Sequence, residues 1–268
     1  MSNEYQITKE KAFENLQLKD DFMFGVIMRN PKYCKPFLER ILNISISRIE
    51  YPDVQRIIDL SKDSKSVRLD IFVEDGKNTV YNIEMQTGGK ANLPKRTRYY
   101  QGMIDLSILE KGENYKDLKQ CFIIFVCTFD LFGEGRHIYT FENRCIENFE
   151  LGLGDDTTKI FLNTKGTIDD VTPDMKKLLD YIDGKQPKDN FTKELDGAVQ
   201  SVRNNEKWRL DYMTLQMKYD EKFEEGRQEG KLEGRILTLD ELGYSVSEIA
   251  EKLNQKQEKV FEILNSKD

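Results

Sequence analysis

Histidine is almost absent from this chain of 268 residues, which contains only His137. A zinc site built from cysteine and histidine needs several well-placed ligands, and a Ser-His-Asp or Cys-His triad would have to use His137 alone. His137 lies in FGEGRHIYTF, a pattern typical of a turn that enters a strand. We therefore do not expect a histidine-based nucleophile or a Cys/His zinc site.

Cysteine is also scarce. The four cysteines, at positions 34, 121, 127 and 145, form no C-x-x-C pair, and two of them fall in the apolar, strand-like run QCFIIFVCTFDLF. Cysteine in such a setting usually behaves as a small buried hydrophobic residue. The pattern indicates buried, reduced thiols, which are the normal state of cysteine in the cytosol.

Long apolar runs and an excess of positive charge are both missing. No apolar run approaches the roughly 20 residues that cross a bilayer, and MSNEYQITKEKAFENLQLKDD lacks the apolar core of a secretion signal. We therefore expect a cytoplasmic protein with no membrane partner. The net charge of −7 argues against a protein that coats nucleic acid through its overall charge, although an acidic body can still carry a local basic surface.

The order of the remaining patterns predicts an α/β or α+β arrangement with a mixed β-sheet. Two helices come first: Asp20 or Asp21 can cap one that ends at Pro31, and the next runs over about 32–42. A strand near 49–58, a hairpin, a helix that starts at Pro94, three strands and a short helix follow. We predict a core domain over residues 1–200 and a helical C-terminal tail over residues 201–268.

The tail differs in kind from the core. KFEEGRQEGKLEGR spaces Gly226, Gly230 and Gly234 four residues apart among charged residues. Within a helix these glycines would form a stripe that lets another helix approach closely, but each glycine costs a helix about 1 kcal/mol relative to alanine, so a flexible charged linker is equally compatible. After it, two short amphipathic helices with Ser245 or Ser247 as a cap predict a small helix-turn-helix-like unit, which could bind DNA or another copy of the chain. We expect this tail to form a homo-oligomer.

The predicted hairpin, SVRLDIFVEDGKNTVYNIEMQ, carries acids where a core strand would carry apolar residues. Residues two apart in a strand share a face, and a turn centred near Lys77 places Asp70 directly opposite Glu84. Facing carboxylates repel one another and need a cation between them. Mg²⁺ suits such a pair because it takes carboxylate oxygens and keeps water for chemistry, although Arg68 could neutralise the pair instead.

A basic segment follows the hairpin directly. Residues 87–104 carry four cations and no acid, the longest basic stretch of one sign in the chain. Cations placed there can hold the phosphates of a nucleic acid, and an aromatic ring can stack on a base. We expect Lys95, Arg96, Arg98 and Tyr99 to contact DNA, whereas Tyr100 is interpreted as a core residue.

RLDIFVED, YNIEMQ and PKRTRYY, in this order, resemble the PD-(D/E)XK nuclease family transposases, also called Rpn-type recombination-promoting nucleases. The similarity extends from LKDDFMF to about FLNTKG. It implies an α/β fold with a restriction-endonuclease-like core, in which a mixed β-sheet is flanked by helices. It also implies cleavage of DNA with Mg²⁺ or Mn²⁺. Carried over, Asp70 and Glu84 are metal ligands, Gln86 is a catalytic residue at the position of the usual lysine, and Asp21 is a possible additional acid.

The sequence therefore predicts a metal-dependent DNA endonuclease that hydrolyses phosphodiester bonds and promotes recombination or transposition. The alternative is a non-catalytic DNA-binding or oligomerising protein that keeps the nuclease fold, because the glutamine at position 86 cannot supply the charge of a lysine. A transposase that joins strands as well as cutting them would use the same site.

Overall fold

The structure is a computed structural model that describes residues 12–51, 57–58, 67–68, 70–88, 92–109 and 112–265, with only the backbone described for 57–58 and 67–68. The chain divides into two compact units, Met1–Asn205 and Glu206–Asp268. The first unit contains the β-sheets, and the described part of the second is helical. None of the helices in the described ranges has both the length and the apolar character that crossing a bilayer requires.

Two helices open the first unit after a short 3-10 turn. Their bounds are Asp21–Met28 for α1 and Pro31–Leu42 for α2. Pro31 lies in the first turn of α2, where its missing N–H costs nothing, and Asn30 caps this helix by accepting a hydrogen bond from the Lys32 N–H. Asp20 precedes α1 as predicted, but its carboxylate accepts a hydrogen bond from the Gln17 N–H at 2.5 Å instead of from the helix.

The described strands form one six-stranded mixed sheet and one separate pair. They are β1 Ile49–Glu50, β2 Ile57–Ile58, β3 Val67–Arg68, β4 Ile71–Asp75, β5 Val80–Gln86, β6 Cys121–Cys127, β7 Ile138–Phe141 and β8 Thr157–Asn163. The large sheet has the order β1-β4-β5-β6-β8-β7. Neighbours are parallel for β5–β6 and β6–β8 and antiparallel elsewhere. The strand expected near 49–58 is therefore two short strands, which belong to different sheets.

Helices flank this sheet, which confirms the predicted α/β class. The remaining helices of the first unit are α3 Leu93–Ile108, α4 Pro173–Ile182 and α5 Asn190–Arg203. On the α3 side the buried core joins Phe72, Val80, Leu93, Tyr100, Met103, Ile104, Cys121, Ile123, Phe125, Cys127, Tyr139 and Phe161. Because residues two apart in a strand share a face, Asn82 and Glu84 point from β5 to the same side as Val80.

The turn between β4 and β5 fixes the register of the hairpin. Asp75 accepts hydrogen bonds from the backbone N–H groups of Lys77 and Thr79 through Oδ1, and its Oδ2 accepts one from the Tyr81 hydroxyl. Asn78 has a φ of 63°, a left-handed conformation that asparagine tolerates well. The hairpin predicted from the turn formers EDGKN is therefore present, and its strands pair Ile71 with Ile83 and Phe72 with Asn82.

His137 and the cysteines have structural surroundings. The His137 ring is buried, its Nδ1 lies 2.9 Å from Asp170 Oδ1, and Gly166 packs so closely that an added Cβ would lie 2.5 Å from the ring. This close packing explains the glycine at position 166. All four cysteines are free thiols, and Cys34, Cys121 and Cys127 are buried while Cys145 is half-buried.

The second unit contains one long helix and two short ones. Their bounds are α6 Glu206–Glu241, α7 Val246–Leu253 and α8 Gln257–Asn265. The segment with Gly226, Gly230 and Gly234 is thus helical and not a linker. Ser245 caps α7 in a capping box with Glu248. Of the two predicted caps, Ser245 and Ser247, the structure therefore uses Ser245. Ile236, Ile249, Ala250 and Val260 form the small core of this unit.

Candidate active site

The register of the β4–β5 hairpin brings Asp70 and Glu84 together. Asp70 directly precedes β4 and extends the ladder in which Ile71 faces Ile83. Its backbone N–H donates a hydrogen bond to Glu84 Oε1 at 3.2 Å, and its own Oδ2 accepts one from the Met85 N–H at 3.3 Å. The two carboxylates are therefore neighbours on the side of the sheet that α3 covers.

Glu84 is an ionisable side chain in the core. It is 2% exposed, and its Oε1 also accepts a hydrogen bond from Asn82 Nδ2 at 3.2 Å. Burial raises the pKa of Glu84 well above its usual range, and the nearby carboxylate of Asp70 raises this pKa further. Because desolvation disfavours the charged form, an ionised Glu84 requires a cation close to it.

A third acid approaches from the first helix. Asp21 is the first residue of α1, and α1 packs against β5 and α5. Burial raises the pKa of Asp21 to about 6, with smaller contributions from the charges of Asp70 and Asp20. The charge of Asp70 acts on both Asp21 and Glu84, and we refer to these three electrostatically coupled acids as the acidic cluster.

Arg96 reaches this cluster from α3. Its Nη1 donates a hydrogen bond to Gln86 Oε1 at 3.1 Å and its Nη2 donates one to the Tyr100 hydroxyl at 2.7 Å. Nη2 also lies 3.7 Å from Glu84 Oε2. The guanidinium carbon is 5.3 Å from the centre of the Tyr100 ring and 5.4 Å from that of Phe125. Arg96 therefore places a half-buried cation beside the acidic cluster on the α3 side.

The sequence profile of the PD-(D/E)XK nuclease family transposases matches residues 20–165, more than half of the 268-residue chain. The chain belongs to this family. The matched range contains the β4–β5 hairpin, α3 and the first residue of α1, and thus every element that contributes to the acidic cluster. Membership indicates a nuclease-related function. No curated protein and no solved structure matched the chain significantly.

Gln86 stands where the D-x(n)-ExK pattern of PD-(D/E)XK nucleases has a lysine. It lies at the end of β5, two residues beyond Glu84, and is half-buried. Its amide Nε2 donates a hydrogen bond to the Met85 carbonyl at 2.7 Å, while Oε1 accepts the bond from Arg96. Both the Nε2 and the Oε1 of Gln86 are therefore hydrogen-bonded, and among the described residues Arg96 places a positive charge 3.7 Å from Glu84 Oε2.

The structure separates the four predicted DNA-contacting residues into two groups. Lys95, Arg98 and Tyr99 are exposed on α3, with Tyr99 exposed to 41%. Arg96, on the same turns, faces the acidic cluster instead. Tyr100 is buried, as predicted for a core residue. The side chain of Arg68, the alternative group for neutralising the acid pair, lies outside the described residues.

The oxygen-rich surroundings of Glu84 fit a hard divalent cation such as PD-(D/E)XK nucleases typically use. Among the described residues, no three His, Cys, Asp or Glu side chains lie close enough to form a metal site by themselves. Mg²⁺ does not need three, because it keeps several waters and binds through one or two carboxylates and substrate oxygens. Asn82 Oδ1 is buried without a hydrogen-bond partner beside Glu84, which adds one uncommitted oxygen to this donor set.

Two features of the site were not predicted from the sequence. Asn82 shares a face with Glu84 as expected, but its hydrogen bond to Glu84 was not predicted. Lys95, Arg96 and Arg98 were all expected near the metal as DNA contacts, and the separate contacts of Arg96 with Gln86, Tyr100 and Glu84 were not predicted. The signal that could have placed Arg96 correctly is its spacing of four from Tyr100, because residues four apart share one side of a helix, and Tyr100 was already interpreted as buried.

Proposed function

We propose that this protein is a metal-dependent DNA endonuclease that hydrolyses phosphodiester bonds. The observation that carries the proposal is the meeting of Asp70 and Glu84 on adjacent strands, one of them in the core, in a chain of the PD-(D/E)XK nuclease family. Two acids so close together weaken the fold. Ionisable groups with strongly shifted pKa values cluster at functional sites.

Asp70 and Glu84 would hold Mg²⁺ or Mn²⁺, with Asp21 as a possible additional acid. The ion would supply an activated water and would offset negative charge on the phosphoryl oxygen. Gln86 would orient the substrate or water through hydrogen bonds of its amide, which carries no charge. Membership in the family supports a role in recombination or transposition.

DNA would reach the site along α3. Lys95 and Arg98 are exposed there and can contact phosphates on either side of the bond to be cut. Tyr99 is exposed next to them and can stack on a base or donate to a phosphate. Arg96 lies deeper, between these residues and Glu84. We assign residues 1–200 to the nuclease domain and residues 201–268 to the helical tail, and we place the protein in the cytoplasm.

Incubation of the purified protein with supercoiled plasmid tests this function. We expect nicked and linear products with Mg²⁺ and with Mn²⁺, and none with a chelator, because the proposed mechanism needs the bound ion to activate the water. Equal cleavage in the chelator would point to a contaminating activity. Absence of cleavage under all three conditions would contradict the endonuclease proposal.

A non-catalytic DNA-binding protein is the second candidate, and the state of Gln86 favours it. Both ends of this amide are engaged, and no lysine occupies the position. DNA binding measured in chelator separates the two candidates. Binding without metal-stimulated cleavage supports the second one, whereas cleavage that requires the metal supports the first.

We further propose that the tail forms a homo-oligomer through α6. Tyr219 and Phe223 are exposed to 57% and 62% on this helix, and they lie on the same side as the glycines because of their 3- and 4-residue spacing. Nothing lies within 4 Å of a Cβ added to Gly226, Gly230 or Gly234. Another helix could therefore approach closely along this side.

Replacing Gly226, Gly230 and Gly234 together by leucine is expected to change the size of the oligomer in sedimentation velocity. Leucine favours the helix by about 1 kcal/mol at each position, so α6 itself stays intact while its surface becomes too bulky for close approach. Gly197→Leu is the matched control, because Gly197 lies in α5 with equally open space around it. An unchanged oligomer in the triple variant would show that the glycines contact no second chain.

A further inference from the structure

The side chain of Arg96 points toward the acidic cluster, whereas Lys95 and Arg98 on the same helix are exposed. Its guanidinium lies between Glu84 and Gln86 on one side and the Tyr100 hydroxyl on the other. The ring of Phe125 covers it at 5.4 Å. The guanidinium of Arg96 contacts an amide oxygen, a hydroxyl and two aromatic rings, and these contacts fix its position. An arginine that only contacts DNA from the surface would not need such contacts.

The two oxygens of Glu84 are unequally occupied. Oε1 accepts two hydrogen bonds, both at 3.2 Å, from the Asp70 N–H and from Asn82 Nδ2. A carboxylate oxygen has two lone pairs, so both lone pairs of Oε1 are used. Within the part of the chain that the structure describes, Oε2 is the oxygen that remains for a cation, and Arg96 Nη2 faces it at 3.7 Å.

We infer that Arg96 is the resident counter-ion of Glu84, and that Arg96 and a divalent cation occupy Glu84 Oε2 as alternatives. The inference rests on the proposed function for the presence of the cation. It goes beyond that function because it assigns Arg96 to the acidic cluster and makes it a competitor of the metal. A guanidinium cannot lose its proton in a protein, so it has to move away for the metal to bind.

The geometry allows this exchange. A separation of 3.7 Å is too long for a hydrogen bond, so the Arg96–Glu84 pair is held by charge alone. Nη1 and Nη2 of Arg96 make their hydrogen bonds with Gln86 and the Tyr100 hydroxyl, so neither of them is hydrogen-bonded to Glu84. A divalent cation at Oε2 would contact Glu84 directly and would bring two charges in place of one. The displaced guanidinium starts one residue from Lys95 and two from Arg98, where it can contact phosphate.

Calorimetric titration of Mn²⁺ into the full-length, DNA-free protein tests the inference. Arg96→Gln is expected to bind Mn²⁺ about five- to tenfold more tightly than wild type, in the usual range for coupling between two ligands, because the competing cation is gone. Arg98→Gln is the matched control. It removes the same charge two residues away on the same helix, but from an exposed position, and we expect a change below about twofold.

Arg96→Lys and thermal unfolding keep the test informative if Arg96→Gln is unstable. Lysine keeps the charge but lacks the planar fork that bonds Gln86 and Tyr100 at once, so we expect Mn²⁺ to bind about twofold more tightly than to wild type. Saturating Mn²⁺ should also raise the unfolding temperature of each Arg96 variant more than that of wild type. Equal or weaker Mn²⁺ binding by folded Arg96 variants would overturn the inference, as would absence of Mn²⁺ binding by every form.

The plasmid assay separates this inference from the proposed function. Tighter Mn²⁺ binding by the Arg96 variants, together with a wild type that cuts no DNA, would uphold the counter-ion role and reject the endonuclease. Metal-dependent cleavage by wild type, together with unchanged Mn²⁺ affinity in the Arg96 variants, would uphold the endonuclease and reject the counter-ion role.

Discussion

Replacing Asp70 with asparagine is expected to abolish metal-dependent nicking of plasmid DNA while the chain remains folded. Removal of one charged group that stabilises a transition state typically lowers a rate by about 10²–10³-fold, and Asp70 would contribute one of the two carboxylates. The asparagine oxygen can still accept the hydrogen bond from the Met85 N–H. The variant also removes the repulsion with Glu84 and Asp21, so we expect no loss of stability.

The control is Glu50→Gln. Glu50 is an exposed carboxylate of the same sheet, on β1, and it pairs with Glu74 away from the acidic cluster. We expect it to cut as fast as wild type under the same Mg²⁺ concentration. An Asp70→Asn protein that nicks plasmid at the wild-type rate, with an unchanged circular-dichroism spectrum, would show that the hairpin acids are not the catalytic site.

The acid pair could be predicted because short-range rules determine it. The residues of EDGKN define where the chain turns, and the two-residue period of the strands then determines which side chains face one another. Counting residues outward from this turn places Asp70 opposite Glu84, and the structure has that register. The start of α3 could also be predicted from local sequence, because proline is favoured in the first turn of a helix, where Pro94 lies.

The course of the chain before the hairpin depends on contacts that counting does not give. The alternating pattern from Val67 to Val73 predicts one strand, but Val67 and Arg68 pair with Ile57 and Ile58 in a second sheet, and β4 begins at Ile71. Pattern gives the period of a strand and not its partner. The choice between two sheets is a matter of tertiary packing, which overrides local preference.

The glycine-rich segment shows two opposing local preferences of similar size. Three glycines disfavour a helix by about 1 kcal/mol each, which made a linker as plausible as a helix. Ion pairs at helical spacing oppose this cost, among them Lys222–Glu225 at 2.7 Å and Arg227–Glu224 at 2.9 Å. Such pairs contribute only a few tenths of a kcal/mol each. These local effects do not decide between a helix and a linker. The packing of Ile236, further along α6, into the core of the second unit favours the continuous helix.

Glu84→Gln is expected to stabilise the metal-free protein at pH 8 and to change its stability little near pH 4. The pKa of Glu84 is raised in the folded state, so the folded chain keeps a proton that the unfolded chain releases above about pH 4.5. Stability is therefore lost as the pH rises from there toward the raised pKa, and the loss is complete above it. Glutamine never ionises, which removes this loss. A pKa that differs by one between the folded and unfolded chains corresponds to about 1.4 kcal/mol, and we expect a gain of about 1–3 kcal/mol at pH 8.

Urea unfolding in chelator at pH 4.5, 6 and 8 measures this effect, and Glu74→Gln on the neighbouring strand is the control. Glu74 pairs with Lys119 at 2.6 Å, so glutamine there removes an attraction and should lower stability at pH 8 by up to about 1 kcal/mol. The opposite signs of the two variants arise because Glu84 is buried beside an acid while Glu74 lies beside a cation. A Glu84→Gln protein that is less stable than wild type at pH 8 would mean that Arg96 already neutralises Glu84 fully, and that the buried acid does not need a further cation.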